Sequence, residues 1–96
     1  MELIKEIDLG VSEVKMPDGT TKILAHGILG EEGCNSYNGD DAKEAKGTVE
    51  NGGGEELFEL FDTPAEAAAF WKGIASMDGW LKYEATPFQS HQEIFS

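Results

Sequence analysis

The fold class is decided by residues 16–29, which read Met16-Pro17-Asp18-Gly19-Thr20-Thr21-Lys22-Ile23-Leu24-Ala25-His26-Gly27-Ile28-Leu29. Pro17, Asp18 and Gly19 form a turn signal, because proline presets φ, aspartate bonds nearby backbone groups and glycine tolerates positive φ. Residues 21–29 then return as a largely apolar strand. The stretch therefore predicts one half of an antiparallel hairpin and the turn that closes it.

The other half of the hairpin lies before the turn. Residues 7–11 alternate apolar side chains with polar or small ones, which is typical of a strand with one buried face. Val14 and Met16 continue this alternation one residue out of register with Val11. The slip predicts a bulge or bend near Ser12 and Glu13.

A helix is predicted from residue 64 to about residue 77. Thr63, Pro64 and Glu66 match a capping box, with threonine as the N-cap, proline at the first helical position and glutamate at the third. The apolar residues of this segment fall on one half of a helical wheel. We expect that stripe to be buried; its members are Ala67, Ala68, Phe70, Trp71, Ile74, Ala75 and Met77.

The last part of the chain predicts one more strand. Asp78 and Gly79 end the helix, and residues 80–85 alternate before Pro87. The tail from Phe88 shows no period, so Phe88 and Phe95 have two open placements, against the sheet or towards a partner.

Residues 30–56 predict a glycine-rich, acidic loop region, because seven glycines separate acidic residues there and large apolar side chains are few. Within it, Asp40 or Asp41 caps a short helical turn over residues 42–46. Residues 48–50 and 55–61 read as a second hairpin around the loop at 51–54. The competing interpretation is a disordered insert, since charge and glycine content are both high.

Together these elements predict one small α+β domain over residues 1–96. The expected architecture is a mainly antiparallel sheet of four to five strands, with the single amphipathic helix at about 64–77 packed on one face.

Charge excludes one class of function. The chain of 96 residues carries 19 acidic residues against seven basic ones, all of them lysine, for a net charge of −12. We therefore expect no direct binding to nucleic acid, because lysine and arginine supply the affinity for phosphate. The charge points instead to a cationic partner.

Enzyme signatures are missing from the sequence. It contains neither a phosphate-binding P-loop nor a dinucleotide fingerprint. Cys34 is the single cysteine, and no spacing places it beside His26 or His91, so we expect an incidental thiol. His26 lies on one strand face and predicts a hydrogen-bonded histidine at the edge of the core, whereas His91 lies in the tail.

Acidic clusters also raise the possibility of a calcium site. Asn38, Asp40, Asp41 and Glu44 are the best local group, but they fail the spacing of an EF-hand. We therefore expect no metal, no cofactor and no catalytic residues.

The chain shows neither a secretory leader nor a membrane-spanning run, since its longest uninterrupted apolar stretch covers only residues 67–71. The expected location is the cytoplasm, or the host cytoplasm if the protein is viral, with no membrane partner.

Two functions remain from different classes. The first is a non-enzymatic acidic inhibitor that occupies the basic, nucleic-acid-binding surface of a partner protein, as phage anti-defence proteins of the anti-CRISPR or anti-restriction type do. The second is a small ligand-binding or enzymatic domain with a site assembled from scattered residues. The sequence leaves the partner's identity and the oligomeric state open. For the first function, the candidate contact residues are Glu31, Glu32, Asp40, Asp41, Glu44, Glu55 and Glu56.

Overall fold

The fold is that of a computed structural model, which describes residues 1–38, 42–76 and 82–96. Five strands and four helices occur in these ranges. In chain order they are β1 (Glu2–Asp8), β2 (Val11–Lys15), β3 (Thr21–Leu29), α1 (Glu31–Asn38), α2 (Ala42–Glu50), β4 (Glu55–Phe61), α3 (Pro64–Ser76), β5 (Tyr83–Ala85) and α4 (Phe88–Phe95). The predicted α+β class is confirmed.

The sheet is antiparallel and has the order β1-β2-β3-β4. One edge of β3 pairs first with β2, where Val11 lies opposite Ala25, and then with β5, where Gly27 lies opposite Ala85. Its other edge pairs with β4 over residues 23–29. β3 is therefore the central strand, and the hairpin predicted over its turn is confirmed.

The central strand is covered on both faces. Ile23 packs in a cluster with Val11 and Ala67 beneath α3, whereas Ile28 packs with residues of α1, α2 and α4. Residues five apart in a strand point to opposite faces, so α3 covers one face and the other three helices cover the opposite one. This corrects the expectation of a single helix on a single face, and it explains why residues 23–28 are all buried.

Close backbone approach fixes the α3 face. A Cβ atom on Gly27 would lie 2.3 Å from the Glu84 carbonyl oxygen and 3.0 Å from the Trp71 ring. The Trp71 indole N–H donates to the Gly10 carbonyl over 3.0 Å. Gly10, which has a φ of +78°, also lacks room for a side chain, since its Cβ would meet Ala85 at 2.7 Å. The Trp71 ring thus packs directly against the backbone of Gly10 and Gly27.

The slip of alternation before the hairpin has a different cause from the predicted one. β1 ends at Asp8, and Leu9 and Gly10 form a turn into β2, which holds both Val11 and Val14. These two residues are three apart and point to opposite faces of the sheet, and both are buried, so the slip marks a strand that is covered on both faces. No register shift occurs between β2 and β3 at Ser12 or Glu13. Two register shifts do lie beside Ser12 and Glu13, but their extra residues, Ile4 and Ile7, belong to the partner strand β1.

Helix α3 begins as predicted. The Glu66 backbone N–H donates to Thr63 Oγ1 over 3.3 Å, and the Thr63 hydroxyl contacts the Glu66 carboxylate at 3.0 Å. The buried stripe of α3 is narrower than expected. The helix approaches the sheet through Ala67, which is the only fully buried residue of α3. Phe70, Trp71 and Ile74 are half-buried, Ala68 and Ala75 are exposed, and Met77 lies outside the described residues.

The prediction for residues 30–56 is wrong over most of its length. Helices α1 and α2 lie within that region, and residues 48–50 end α2 instead of forming a strand. The short helix predicted at 42–46 is confirmed and extends to Glu50. Ala42, Ala45 and Val49 follow helical spacing and pack against the Ile28 cluster, which supplies the burial that stabilises α2.

The tail is also helical, and it packs on the sheet. Phe88 meets the His26 ring edge-on at 5.8 Å, and Phe95 packs against the Ile28 cluster. Both aromatic residues therefore pack against this domain. The final strand is confirmed over Tyr83–Ala85, and residues 80 and 81 lie outside the described ranges. Within those ranges, no helix has the length and apolar content needed to cross a bilayer.

Two glycine substitutions test the close approach. Gly27→Ala should destabilise the protein by about 3 kcal/mol, because the new Cβ collides with backbone that cannot easily move. Gly73→Ala is the matched control, because a Cβ atom at this position would have nothing within 4 Å. Alanine is favoured over glycine inside a helix, so this change should increase the free energy of unfolding by about 0.5–1 kcal/mol. Urea unfolding measures both, and equal effects would contradict the packing.

Candidate acidic binding site

Three of the predicted acidic residues line one open cleft at the end of strands β3 and β4. We call it the acidic cleft. Its volume is about 470 Å³, and its lining residues are Leu29, Gly30, Glu31, Glu32, Gly52, Gly53, Gly54 and Glu55. The structure thus brings Glu31, Glu32 and Glu55 together around a single space.

The cleft follows from the way the chain leaves β3. Gly30 has a φ of +111°, a conformation that favours glycine, and it turns the chain directly into α1. Glu31 and Glu32 therefore stand in the first turn of that helix. Glu55 pairs with Leu29 across the sheet. This long-range strand register thereby brings residue 55 to the cleft that Glu31 and Glu32 also line.

Glycine is required at the floor of the cleft. The Gly33 backbone N–H donates to the Gly53 carbonyl over 2.8 Å, which draws α1 onto the loop before β4. A Cβ atom on Gly53 would lie 2.7 Å from the Glu32 carboxylate, and one on Gly30 would lie 3.2 Å from Gly54 Cα. Side chains at these positions would crowd the approach of α1 to the loop, so the loop glycines favour the observed position of α1 and its glutamates.

The electrostatics of the cleft favour a cation. A helix N-terminus ordinarily attracts anions, because its free N–H groups and macrodipole are positive there. In α1 the carboxylates of Glu31 and Glu32 already occupy that end. The residues that line the cleft include three glutamates and no lysine. Lysine and arginine side chains are the groups that such a site can take.

The other candidate contact residues do not join the cleft. Glu56 neighbours Glu55, but successive side chains point to opposite faces of a strand, and its carboxylate lies 3.2 Å from His91 Nε2. Partial burial raises the pKa of Glu56. Glu44 is exposed on α2 and is not among the cleft-lining residues. Asp40 and Asp41 lie outside the described residues.

Cys34 lies on α1 and not in a loop. It is fully buried, and its thiol donates to the Ile28 carbonyl over 3.5 Å. Burial raises the pKa of the Cys34 thiol to about 11. The side chain therefore stays a protonated thiol at neutral pH and is a poor nucleophile. Across residues 1–38, 42–76 and 82–96, no three His, Cys, Asp or Glu side chains are placed to hold a metal ion.

A second cluster of titratable groups is formed by two buried histidines. His26 and His91 are both 0% exposed, and their ring centroids lie 5.6 Å apart. His26 Nε2 lies 2.8 Å from Ser12 Oγ, which confirms the predicted hydrogen-bonded histidine. The placement of His91 in a tail without structure is wrong, because α4 carries it into the core. The sequence did not predict the burial of His91, because no apolar run surrounds it.

Burial keeps both histidines neutral. Desolvation and, to a smaller extent, the neighbouring His26 ring together lower the pKa of His91 to about 4. Desolvation also lowers the pKa of His26. The contact between α4 and β3 is thus made by two uncharged rings at neutral pH.

This pair predicts acid sensitivity. In the unfolded chain a histidine pKa is about 6.5, so below that pH the unfolded state binds protons that folded His91 refuses. Stability should fall between pH 6.5 and pH 4, by about 3 kcal/mol for His91 alone. Urea unfolding across this range should show a shallower pH slope for His91→Phe than for the wild type. Identical slopes would mean that His91 is not buried in the neutral form.

Comparison of the chain with models of protein families, with curated protein sequences and with solved structures gives no match in any of the three. The interpretation of the acidic cleft therefore depends on its own geometry and charge.

Proposed function

We propose that the protein is a non-enzymatic inhibitor that places the acidic cleft against a basic, nucleic-acid-binding surface of a partner protein. The observation that carries this proposal is the convergence of Glu31, Glu32 and Glu55 on one cleft in a chain of net charge −12. The contact is electrostatic and is made through carboxylates.

The cleft suits the side chains that bind nucleic acid. Arginine and lysine are the residues that contact phosphate, and both end in cationic donors at the tip of a long, slender stem. A volume of about 470 Å³ accommodates such a side chain together with water. Glutamate oxygens accept charge-assisted hydrogen bonds from these donors, which are stronger than hydrogen bonds between neutral groups. The cleft thus offers a partner's cation what a phosphate would offer.

Rigid presentation supports the proposal further. The Gly33–Gly53 hydrogen bond and the pairing of Leu29 with Glu55 fix the backbone on both sides of the cleft. Carboxylates held on a fixed backbone lose less conformational freedom on binding than carboxylates on a mobile loop. Long-range attraction from the net charge also speeds the encounter with a basic surface.

An inhibitor of this kind competes with nucleic acid for the same surface of its partner. Phage anti-defence proteins of the anti-CRISPR and anti-restriction types act on host nucleic-acid-binding complexes, and we place the protein in this functional class. A host complex of that class, located in the cytoplasm, is the proposed partner.

Charge-neutral variants test the cleft. We expect Glu31→Gln, Glu32→Gln and Glu55→Gln together to weaken binding of a fluorescent lysine peptide of about ten residues by roughly tenfold or more. The control combines Glu2→Gln, Glu59→Gln and Glu93→Gln, which removes the same charge from exposed positions outside the cleft. It should cost less than about threefold in anisotropy titrations at low salt. Equal losses would show that net charge alone binds the peptide.

The partner itself provides the second test. A nucleic-acid-binding protein captured from host lysate at low salt should be released by duplex DNA and by about 0.5 M salt, because both compete with exposed charges. The cleft variant should fail to capture it, and the control variant should succeed. Capture that survives DNA and salt, or that the cleft variant retains, would contradict the proposal.

A further inference from the structure

Strand β4 lies at an edge of the sheet. It pairs with β3 on one side, and the strand order places no described strand on its other side. Its register is continuous from residue 55 to residue 61, whereas two shifts interrupt β1, the edge strand at the other end of the sheet. Bulges and lysines ordinarily keep an edge from pairing with another strand, and β4 carries neither. The strand is therefore a regular template for an added strand.

The main chain of three β4 residues points to the open side. The His26 N–H donates to the Gly10 carbonyl over 2.9 Å, so the main chain of His26 points away from β4. His26 lies opposite Phe58, and the two members of such a pair in an antiparallel ladder point away from each other. Because this direction alternates along a strand, the N–H and C=O groups of Glu56, Phe58 and Leu60 all point outward. Three donors and three acceptors thus line the open edge of β4.

The exposed side chains of β4 differ between its two faces. Glu55 and Glu59 are exposed on the face that packs against α3. Phe58 and Leu60 are 38% and 36% exposed on the opposite face, where Phe58 meets the His91 ring of α4. An added strand that complements both faces therefore alternates basic with apolar side chains.

We propose that β4 takes up an extended segment of the partner protein as a sixth strand, and that this segment alternates basic with apolar residues. The inference rests on the proposed function, because a basic partner is its starting point. Glu55 begins β4 and also lines the acidic cleft, so a segment paired along β4 leads into that cleft. Main-chain hydrogen bonds supply the affinity, and the alternating side chains supply the specificity.

Charge argues against a second copy of the chain as the occupant. β4 carries three glutamates and no basic residue, and each copy has a net charge of −12. Pairing β4 with itself would bring two acidic strands together without a counter-charge, and like charges on adjacent strands are destabilising. A basic segment instead places opposite charges on the two strands.

A designed peptide tests the added strand. The probe is a fluorescent peptide of about eight residues that alternates lysine with valine, because valine favours strands. A matched peptide carries N-methyl groups on its central residues, which removes main-chain donors and keeps every charge. We expect N-methylation to weaken binding by about tenfold or more in anisotropy titrations, because the hydrogen bonds to β4 are lost. Equal affinity of the two peptides, or no binding of either, would overturn the proposal.

Amide exchange locates the contact on the protein. The N–H groups of Glu56, Phe58 and Leu60 should exchange with solvent at least about tenfold more slowly at saturation with the alternating peptide, because each gains an acceptor. An all-lysine peptide of the same charge does not form a strand, since its neighbouring charges repel, and should leave these rates unchanged. Slowing at β1, without slowing at residues 56, 58 and 60, would overturn the proposal.

A proline variant removes one outward donor from the protein itself. Proline is tolerated on an edge strand where its nitrogen faces solvent, so Leu60→Pro should keep the fold, and circular dichroism checks this. Leu60→Val is the matched control, because it keeps the N–H. Leu60→Pro should bind the alternating peptide about tenfold more weakly than Leu60→Val. Equal binding by the two folded variants would contradict the added strand, and if Leu60→Pro does not fold, the N-methylated peptide decides.

The two kinds of peptide separate this inference from the proposed function. If the all-lysine peptide binds and N-methylation of the alternating peptide has no effect, the acidic cleft is supported and the added strand is refuted. If only the alternating peptide binds, and it slows exchange at residues 56, 58 and 60, the added strand is supported and the acidic cleft is refuted.

Discussion

Close packing on both faces of strand β3 is the constraint on which the rest of the structure depends. At Gly27 the strand has no side chain, and the Glu84 carbonyl and the Trp71 ring occupy the space that a Cβ would need. That contact sets the position of α3 on one face and of β5 at the strand edge. The chain after β5 then passes Thr86, whose N–H donates to the His26 carbonyl, and enters α4 above the opposite face.

The sequence predicted the elements that are stabilised by interactions between residues close together in the chain. The turn at Pro17–Gly19 and the Thr63 cap depend on neighbouring residues, so both could be predicted from the sequence. Helices α1 and α4, and the part of α2 beyond residue 46, could not be predicted, because small residues such as Cys34 and Ala45 supply little apolar surface. Their burial comes from packing on Ile28 and on one another, which depends on how the chain folds back and not on a local pattern. His91 was missed for the same reason.

The candidate site shows the same contrast between features that the sequence predicts and features that depend on the fold. Acidity and the presence of glutamates near residues 31 and 55 could be predicted from the sequence, whereas their convergence requires the pairing of Leu29 with Glu55. The separation of Glu55 from Glu56 follows from strand alternation and was predictable once residues 55–61 were assigned to a strand. The role of the loop glycines as a floor for α1 required the structure, because it depends on backbone atoms of two distant segments.

The central claim is that cations bind at the acidic cleft, and nuclear magnetic resonance with an oligolysine peptide tests it most directly. During titration of the ¹⁵N-labelled protein, amide shifts should change most at residues 29–33 and 52–55, which line or adjoin the cleft. The effect should fade as salt is added, because exposed charges are screened. Shift changes spread over all acidic surfaces, or centred on β1, would contradict the claim.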